Sequence, residues 1–409
     1  MVSLVKEYSE EKIFGKIYTP EFIVQKILND INYNNQNILG KKILDPSCGD
    51  GRFLEEIVKT IIKFSPLNDL KNNLLCVYGW DIDENAIELC KTNLNALIKE
   101  FNLNIKWNIS VNNSLTVLKK KNLFEINKTI KFDYIAGNPP YIRIQHLDSE
   151  TREFLKQNSS FCKQGSTDIY IAFYEICYQL LKDDGICGII TPNSFLYTET
   201  AKSMRDFFIK FINQITNYAA VQLFDNASTY NAITIFQKRE TNTFIYQEAK
   251  DKTTFSEKIF NKKEFENKNI WQLNIDKNIE TIGKKLGDIC QISVGITTLS
   301  DKLYIFEIEN IDDTYVYILS KIKGNVKIEK SILKPIIKAS TLKSGKDEIK
   351  EYIIFPYEKI NNKHKIIKED DLKEKYPFAY NYLLSVKDEL DKRDGGKINN
   401  VSWYAFGRS

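Results

Sequence analysis

Residues 43 to 54 read "ILDPSCGDGRFL", and the order of residue types in that stretch decides what kind of fold can hold it. An apolar run ends at Asp45, a turn containing Gly49 and Gly51 follows, and an apolar-periodic segment opens near Arg52. This is a strand, a tight loop and a helix start, the repeating unit of a parallel sheet whose ligands lie beyond the carboxyl ends of its strands. Glycines there let the backbone approach a ligand, and the helix N-terminus attracts an anionic group such as a carboxylate. The stretch lacks the lysine and hydroxyl of a phosphate-binding loop and the Gly-x-Gly-x-x-Gly of a dinucleotide site, which counts against both. Taken alone, it is equally compatible with a tight turn that binds nothing.

The same alternation continues outward. "LLCVYGWDID" precedes "NAIELCKTNLNALIKEF", "FDYIAG" runs into a loop, and "IYIAFYEICYQLLK" precedes "GICGIITP". Short apolar runs alternating with helical patterns predict a mostly parallel sheet covered by helices. After "AITIFQKR" the chain turns polar and rich in lysine and asparagine. The expected organisation is therefore one domain over 1–240, a linker or surface excursion over 241–280, and a second domain over 281–409. No repeat or long low-complexity tract interrupts it.

Composition narrows the class. A chain of 409 residues with 43% hydrophobic and 27% charged residues reads as a soluble protein of two domains. No apolar run approaches the ~18 residues of a membrane span, and the start carries no signal-peptide pattern, so a cytoplasmic location is expected. Seven cysteines, never spaced Cys-x-x-Cys, suggest neither a disulfide framework nor a zinc site, and only His146 and His364 are available for histidine chemistry. No metal site is expected. Lys and Arg balance Asp and Glu over 1–240 (28 against 28) and exceed them over 241–409 (30 against 26), a mild hint of a polyanionic partner that a solvated lysine-rich surface explains as well.

Three further strand ends carry candidate chemistry. Asp81 closes "YGWDID", where an acidic residue accepts from both hydroxyls of a ribose, although it also suits a cap for the helix beginning "ENAIELC". Asn113, in "VNNSL", is placed to contact an adenine amino group or to make an ordinary turn. The most specific is Asn138-Pro139-Pro140-Tyr141 after "FDYIAG". An aromatic or amide amino nitrogen shares its lone pair with a π system, so it attacks well only when its hydrogens are held by acceptors. The Asn138 side-chain oxygen and the Pro139 carbonyl supply two, Pro139 and Pro140 restrict the backbone that aims them, and Tyr141 offers a face for a flat substrate.

With these residues in place, the sequence resembles the class I S-adenosylmethionine-dependent DNA adenine-N6 methyltransferases of the gamma arrangement, the TaqI and Eco57I type enzymes and the sporulation-associated adenine methylase CamA among them. The likeness covers nearly the whole chain, through "FGKIYTPEFIVQKIL", "ILDPSCGDGRFL", "YGWDID", "VNNSL", "FDYIAGNPPY", "TDIYIAFYEICYQLLK", "GICGIITPNSFL" and "LFDNASTYNAITIF". It implies an α/β fold, a Rossmann-like class I methyltransferase sheet with helices on both faces, followed by a smaller α+β target-recognition domain.

Carried onto this sequence, the resemblance gives Thr19 the carboxylate of S-adenosyl-L-methionine, Asp45 and Gly49 its methionine moiety and Asp81 its ribose. Ile82 and Phe173 would sandwich its adenine. Asn113 stands where the family has an aspartate, and an amide oxygen accepts more weakly than a carboxylate. Asn138 belongs to both the cofactor and the catalytic set. Tyr141 and Phe224 would stack on a target base swung out of double-stranded DNA. Core packing is the plainer reading of Phe173 and Phe224.

"SVGITTLSDKLYIF" (293 to 306) and the segment ending in Trp403, Tyr404, Gly407 and Arg408 resemble the family's recognition domain. Aromatic and arginine residues together suit DNA contacts, and a buried tryptophan is the alternative. Because that block lies inside the recognition domain of the family and the sequence stops one residue later, 281–409 is expected to be a partial recognition domain whose exposed aromatic cluster needs a cover. A separate restriction or specificity chain is the further partner this suggests, and no nuclease is expected within the chain. Two other readings stay open: a protein-glutamine N5 methyltransferase, which shares Asn-Pro-Pro-Tyr but carries its extra domain before the cofactor fold, and a non-catalytic DNA-binding subunit.

Overall fold

The computed structural model describes residues 19–119, 130–163, 168–219, 221–224, 230–273, 275, 284, 286–292, 295–320, 322–338, 344, 348–361, 363–393 and 401–407. The chain divides into two compact units, Met1–Glu280 and Thr281–Ser409.

The first unit is built on one sheet of nine strands: β1 (Ile43–Asp45), β2 (Val77–Asp81), β3 (Asn108–Val111), β4 (Phe132–Gly137), β5 (Leu181–Pro192), β6 (Ile212–Asn217), β7 (Asn231–Gln237), β8 (Thr243–Ala249) and β9 (Phe255–Asn261). Their order is β3-β2-β1-β4-β5-β7-β6-β8-β9. The first five pair in parallel, and β7 enters antiparallel to both β5 and β6. Parallel neighbours require crossovers, and the helices α1 (Glu21–Asp30), α2 (Arg52–Phe64), α3 (Leu67–Leu74), α4 (Glu84–Leu97), α5 (Ser149–Asn158), α6 (Tyr170–Leu180) and α7 (Lys202–Phe208) surround the sheet.

Both faces of the sheet are apolar, as the sequence predicts. On β1, Ile43 packs in the core with α1, α2 and α4, while Leu44 packs in the core with α6 and α7. On β7, Ile233 and Ile235 face the first core, and Ala232 and Phe236 face the second. The period of two is the direct consequence of strand geometry. α2 buries Phe53, Leu54, Ile57, Val58 and Ile61, a stripe at helical spacing, each such side chain contributing roughly 1.5–3 kcal/mol on burial.

The stretch read as a linker or surface excursion, 241–280, contains two further strands. β8 pairs in parallel with β6, and β9 pairs antiparallel with β8, so residues 243–261 extend the sheet. Lys26 of α1 reaches across to the Gln247 side-chain oxygen at 3.0 Å, tying β8 to the rest of the unit. The pattern was present in "TFIYQEA", where Phe244 and Tyr246 alternate inward, but the polar composition around it concealed it.

The second unit has a five-stranded antiparallel sheet in the order β12-β11-β10-β14-β13, from β10 (Ile305–Ile311), β11 (Tyr315–Ser320), β12 (Gly324–Glu329), β13 (Leu333–Ile336) and β14 (Glu351–Ile354). A hairpin of β15 (Tyr357–Ile360) and β16 (Lys363–Ile366) and the helices α8 (Glu369–Lys375), α9 (Pro377–Ser385) and α10 (Lys387–Asp391) complete it. The buried Glu329 accepts from the backbone N–H of Phe378 at 2.7 Å and of Ala379 at 2.9 Å, satisfying two orphan donors at the start of α9.

The terminal aromatic block is not the exposed cluster expected from the sequence. Tyr404 and Phe406 are buried, with Phe406 against Tyr304, Phe355 and Tyr357. Trp403 is half-buried, its indole N–H donating to Glu369 at 3.1 Å. Arg393 holds the block from beneath, donating to the carbonyls of Trp403 (2.8 Å), Ala405 (2.9 Å) and Thr298 (3.1 Å). Residues of the same unit, on helices as well as strands, pack around these rings. Arg408 lies outside the described residues.

Candidate cofactor and target-base site

The carboxyl ends of β1, β2, β3 and β4 bring their loops together. Gly49 has φ +50° and nothing within 4 Å of where a side chain would start, so its backbone is bare. Its N–H donates to Asp81 Oδ2 at 2.9 Å, and Asp81 Oδ1 accepts from the Asp83 N–H at 3.0 Å. The helix-cap alternative for Asp81 is taken by Asp83, whose side chain accepts from Asn85 and Ala86 at the start of α4. Asp81 instead braces the β1 loop against the β2 loop. A carboxylate has about four acceptor positions, so these two bonds leave capacity for a pair of ribose hydroxyls. The Cys48 N–H bonds the Trp80 carbonyl at 2.9 Å, and Ser114 Oγ donates to the Pro46 carbonyl at 2.6 Å, which stitches the β3 loop to the same place.

Asp45 is buried at the end of β1 and accepts one backbone N–H, from Ser47 at 3.0 Å. Burial, with the Asp81 charge adding to it, pushes its carboxyl up to about 8. An arriving cation, such as an ammonium or sulfonium, would stabilise its ionised form. A bare loop backbone, a braced strand-end carboxylate and a buried carboxyl that can pair with a cation fit an adenosine cofactor with an amino-acid tail.

At the end of β4 the Asn138 Nδ2 donates to Thr19 Oγ1 at 3.0 Å, and Ser47 Oγ donates to the Asn138 carbonyl at 3.3 Å. The asparagine is therefore oriented through its amide by Thr19, two residues before α1, and through its backbone by the β1 loop. Thr19, expected at the cofactor carboxylate, is buried with its hydroxyl bonded to Asn138. Pro139 is buried and Pro140 half-buried. The Tyr141 hydroxyl donates to the Ile190 carbonyl at 3.3 Å and accepts from Asn231 Nδ2 at 3.1 Å. Its ring meets Tyr170 edge-on, at 6.4 Å and 77°. Burial holds the Tyr141 phenol well above its ordinary range.

The remaining expected residues divide. Ile82 is 71% exposed just past β2, open for a flat group to lie on. Phe173 is buried on α6 in the second core. Asn113 is exposed and accepts from the Leu115 N–H at 3.0 Å, so it performs the turn role. Phe224 is only 4% exposed and shares a core with Tyr141, which packs at its margin. Asn231, fully buried at the start of β7, was not anticipated. Its signal was a polar residue opening the apolar run "AITIF", which reads equally well as a turn.

A parallel sheet with an inserted antiparallel strand and a loop site at its carboxyl edge defines a class I methyltransferase fold, and the cofactor that fold implies is S-adenosylmethionine. Residues 75–224 match the family of Eco57I restriction-modification methylases. The chain is 26% identical to the type II restriction enzyme and methyltransferase RM.Eco57I of Escherichia coli, over 96% of this chain and 47% of that protein. It is 24% identical to the type II methyltransferase M.BstVI of Geobacillus stearothermophilus, over 96% of this chain and 74% of that one. The chain thus spans about half the length of the Escherichia coli relative. The solved structure of the type IIL restriction-modification enzyme MmeI with DNA shares the fold, at 13% identity and a TM-score of 0.61, over 95% of this chain and 56% of that chain. Among the described residues, no helix is long and apolar enough to cross a membrane.

Proposed function

We propose that this chain methylates DNA at the N6 position of adenine, using S-adenosylmethionine, within a restriction-modification or epigenetic system. The observation that carries the reading is the Asn138 to Tyr141 block at the end of β4, with its asparagine amide oriented by Thr19. When bound, the cofactor supplies an electrophilic methyl group. The Asn138 side-chain oxygen and the Pro139 carbonyl accept the two amino hydrogens of adenine, so the nitrogen lone pair leaves the ring and points outward. Tyr141 supports the ring face of a base that has left the duplex, since the amino group cannot be reached within the stack. Asp81 and Asp45 take the ribose and the cationic tail of the cofactor, and Ile82 its adenine. Double-stranded DNA is the partner, with the second unit supplying target recognition.

The test is to incubate the protein with unmethylated plasmid DNA and isotopically labelled S-adenosylmethionine, then digest to nucleosides and separate them by mass spectrometry. Label in N6-methyl-2′-deoxyadenosine supports the reading. Label in a cytosine nucleoside, in glutamine of added protein, or nowhere contradicts it.

A further inference from the structure

Tyr141 is held at both sides of its hydroxyl, by the Ile190 carbonyl of β5 and by the Asn231 amide of β7. The two strands are themselves paired, with Pro192 opposite Asn231 and Ile190 opposite Ile233, so the two anchors cannot drift apart independently. Asn231 is fully buried, and its backbone carbonyl accepts from the Tyr218 N–H at 2.9 Å, which fixes it from a third direction. A buried amide carries a desolvation cost unless it is hydrogen-bonded, and the Asn231 amide nitrogen has its bond in the Tyr141 hydroxyl. What it touches is the far end of the ring whose face is offered to substrate.

We infer that Asn231 is a positioning residue that fixes the plane of the Tyr141 ring, turning it into a rigid shelf for the extruded base. The inference rests on the proposed methylation of DNA. Hydrogen bonds at a phenol oxygen prefer the ring plane, so two of them from paired strands resist rotation of the ring about its axis, and a shelf fixed in advance spares the base the ordering cost at the moment it arrives. The residue acts through the tyrosine hydroxyl and touches neither substrate nor cofactor.

A double-mutant cycle on turnover isolates this role. The variants are Asn231→Ala, Tyr141→Phe and the pair together, assayed with plasmid DNA and S-adenosylmethionine. The expected result is a fall of about tenfold in kcat for Asn231→Ala with an unchanged KM for S-adenosylmethionine, and no further fall when it is added to Tyr141→Phe. Asn231→Ser, which keeps a hydroxyl donor, should recover part of the loss. Urea unfolding run in parallel separates simple destabilisation, which would lower the active fraction equally in both backgrounds. Equal losses from Asn231→Ala in the presence and absence of the Tyr141 hydroxyl overturn the positioning role while leaving the function intact. No methyl transfer by the unaltered protein overturns the function and the positioning role with it.

Discussion

Thr19 and Asn138, 119 residues apart in sequence, share a hydrogen bond of 3.0 Å in which the asparagine amide donates to the threonine hydroxyl. It links the residue at the entrance of α1 to the one that would hold the reacting nitrogen. Thr19→Val keeps the shape and removes the acceptor. The expected outcome is a drop of about tenfold in kcat, the effect of losing about 1–1.5 kcal/mol of net hydrogen bonding, with Thr19→Ser close to the parent. If Thr19 serves only the cofactor carboxylate, KM for S-adenosylmethionine rises instead and kcat holds, which steady-state kinetics distinguishes.

Asp45 makes stability depend on pH. Its folded value of about 8 lies above the ordinary 3.8, so the contribution of this carboxyl is present in full below about pH 4 and is lost as pH rises toward 8. Asp45→Asn should flatten that part of the profile. Urea unfolding at intervals between pH 5 and 8.5 reads the difference, and parallel profiles for the parent and the variant would show that Asp45 ionises normally.

Gly51 opens α2 at φ +98°, and a side chain there would start 2.7 Å from the Cys90 sulfur. Gly51→Ala therefore meets both backbone strain and a clash, and should cost about 1–3 kcal/mol of unfolding free energy. A variant as stable as the parent in urea would mean that α2 and α4 separate more readily than their packing implies.

Phe224 is buried now, so its two roles make different demands. Phe224→Ala should destabilise the first unit by about 3 kcal/mol or more, whatever the ring does for substrate. Phe224→Leu keeps most of the packing, and a base-stacking role predicts that this variant stays folded but loses methyl transfer to DNA. A fully active Phe224→Leu assigns the ring to the core alone.

What the sequence disclosed was local in origin. The strand, turn and helix of residues 43–54 and the block at 138–141 are contiguous, so their geometry follows from adjacent residues, and the structure puts them where open-sheet sites lie. β8 and β9 were hidden because Phe244 and Tyr246 alternate among polar neighbours whose burial depends on β6 lying alongside. Asn231 and Thr19 have their partners 90 and 119 residues away, a distance over which no spacing rule operates. Phe173 and Phe224 were ambiguous for a simpler reason: an aromatic residue has the same periodicity whether it packs in a core or stacks on a ligand. The terminal aromatics failed in the opposite direction, since Tyr304, which packs on Phe406, and Arg393, which holds the Trp403 carbonyl, are not adjacent to them in sequence.

In the proposed reaction, Asn138 supplies an acceptor for the nitrogen that receives the methyl group. Single-turnover methylation of plasmid DNA by Asn138→Ala, with S-adenosylmethionine affinity measured on the same preparation by calorimetry, tests it directly. The chemical step should slow at least a hundredfold, the loss of about 3 kcal/mol of preorganised stabilisation, with cofactor affinity within a few fold of the parent. Methyl transfer by Asn138→Ala at the rate of the parent would contradict it.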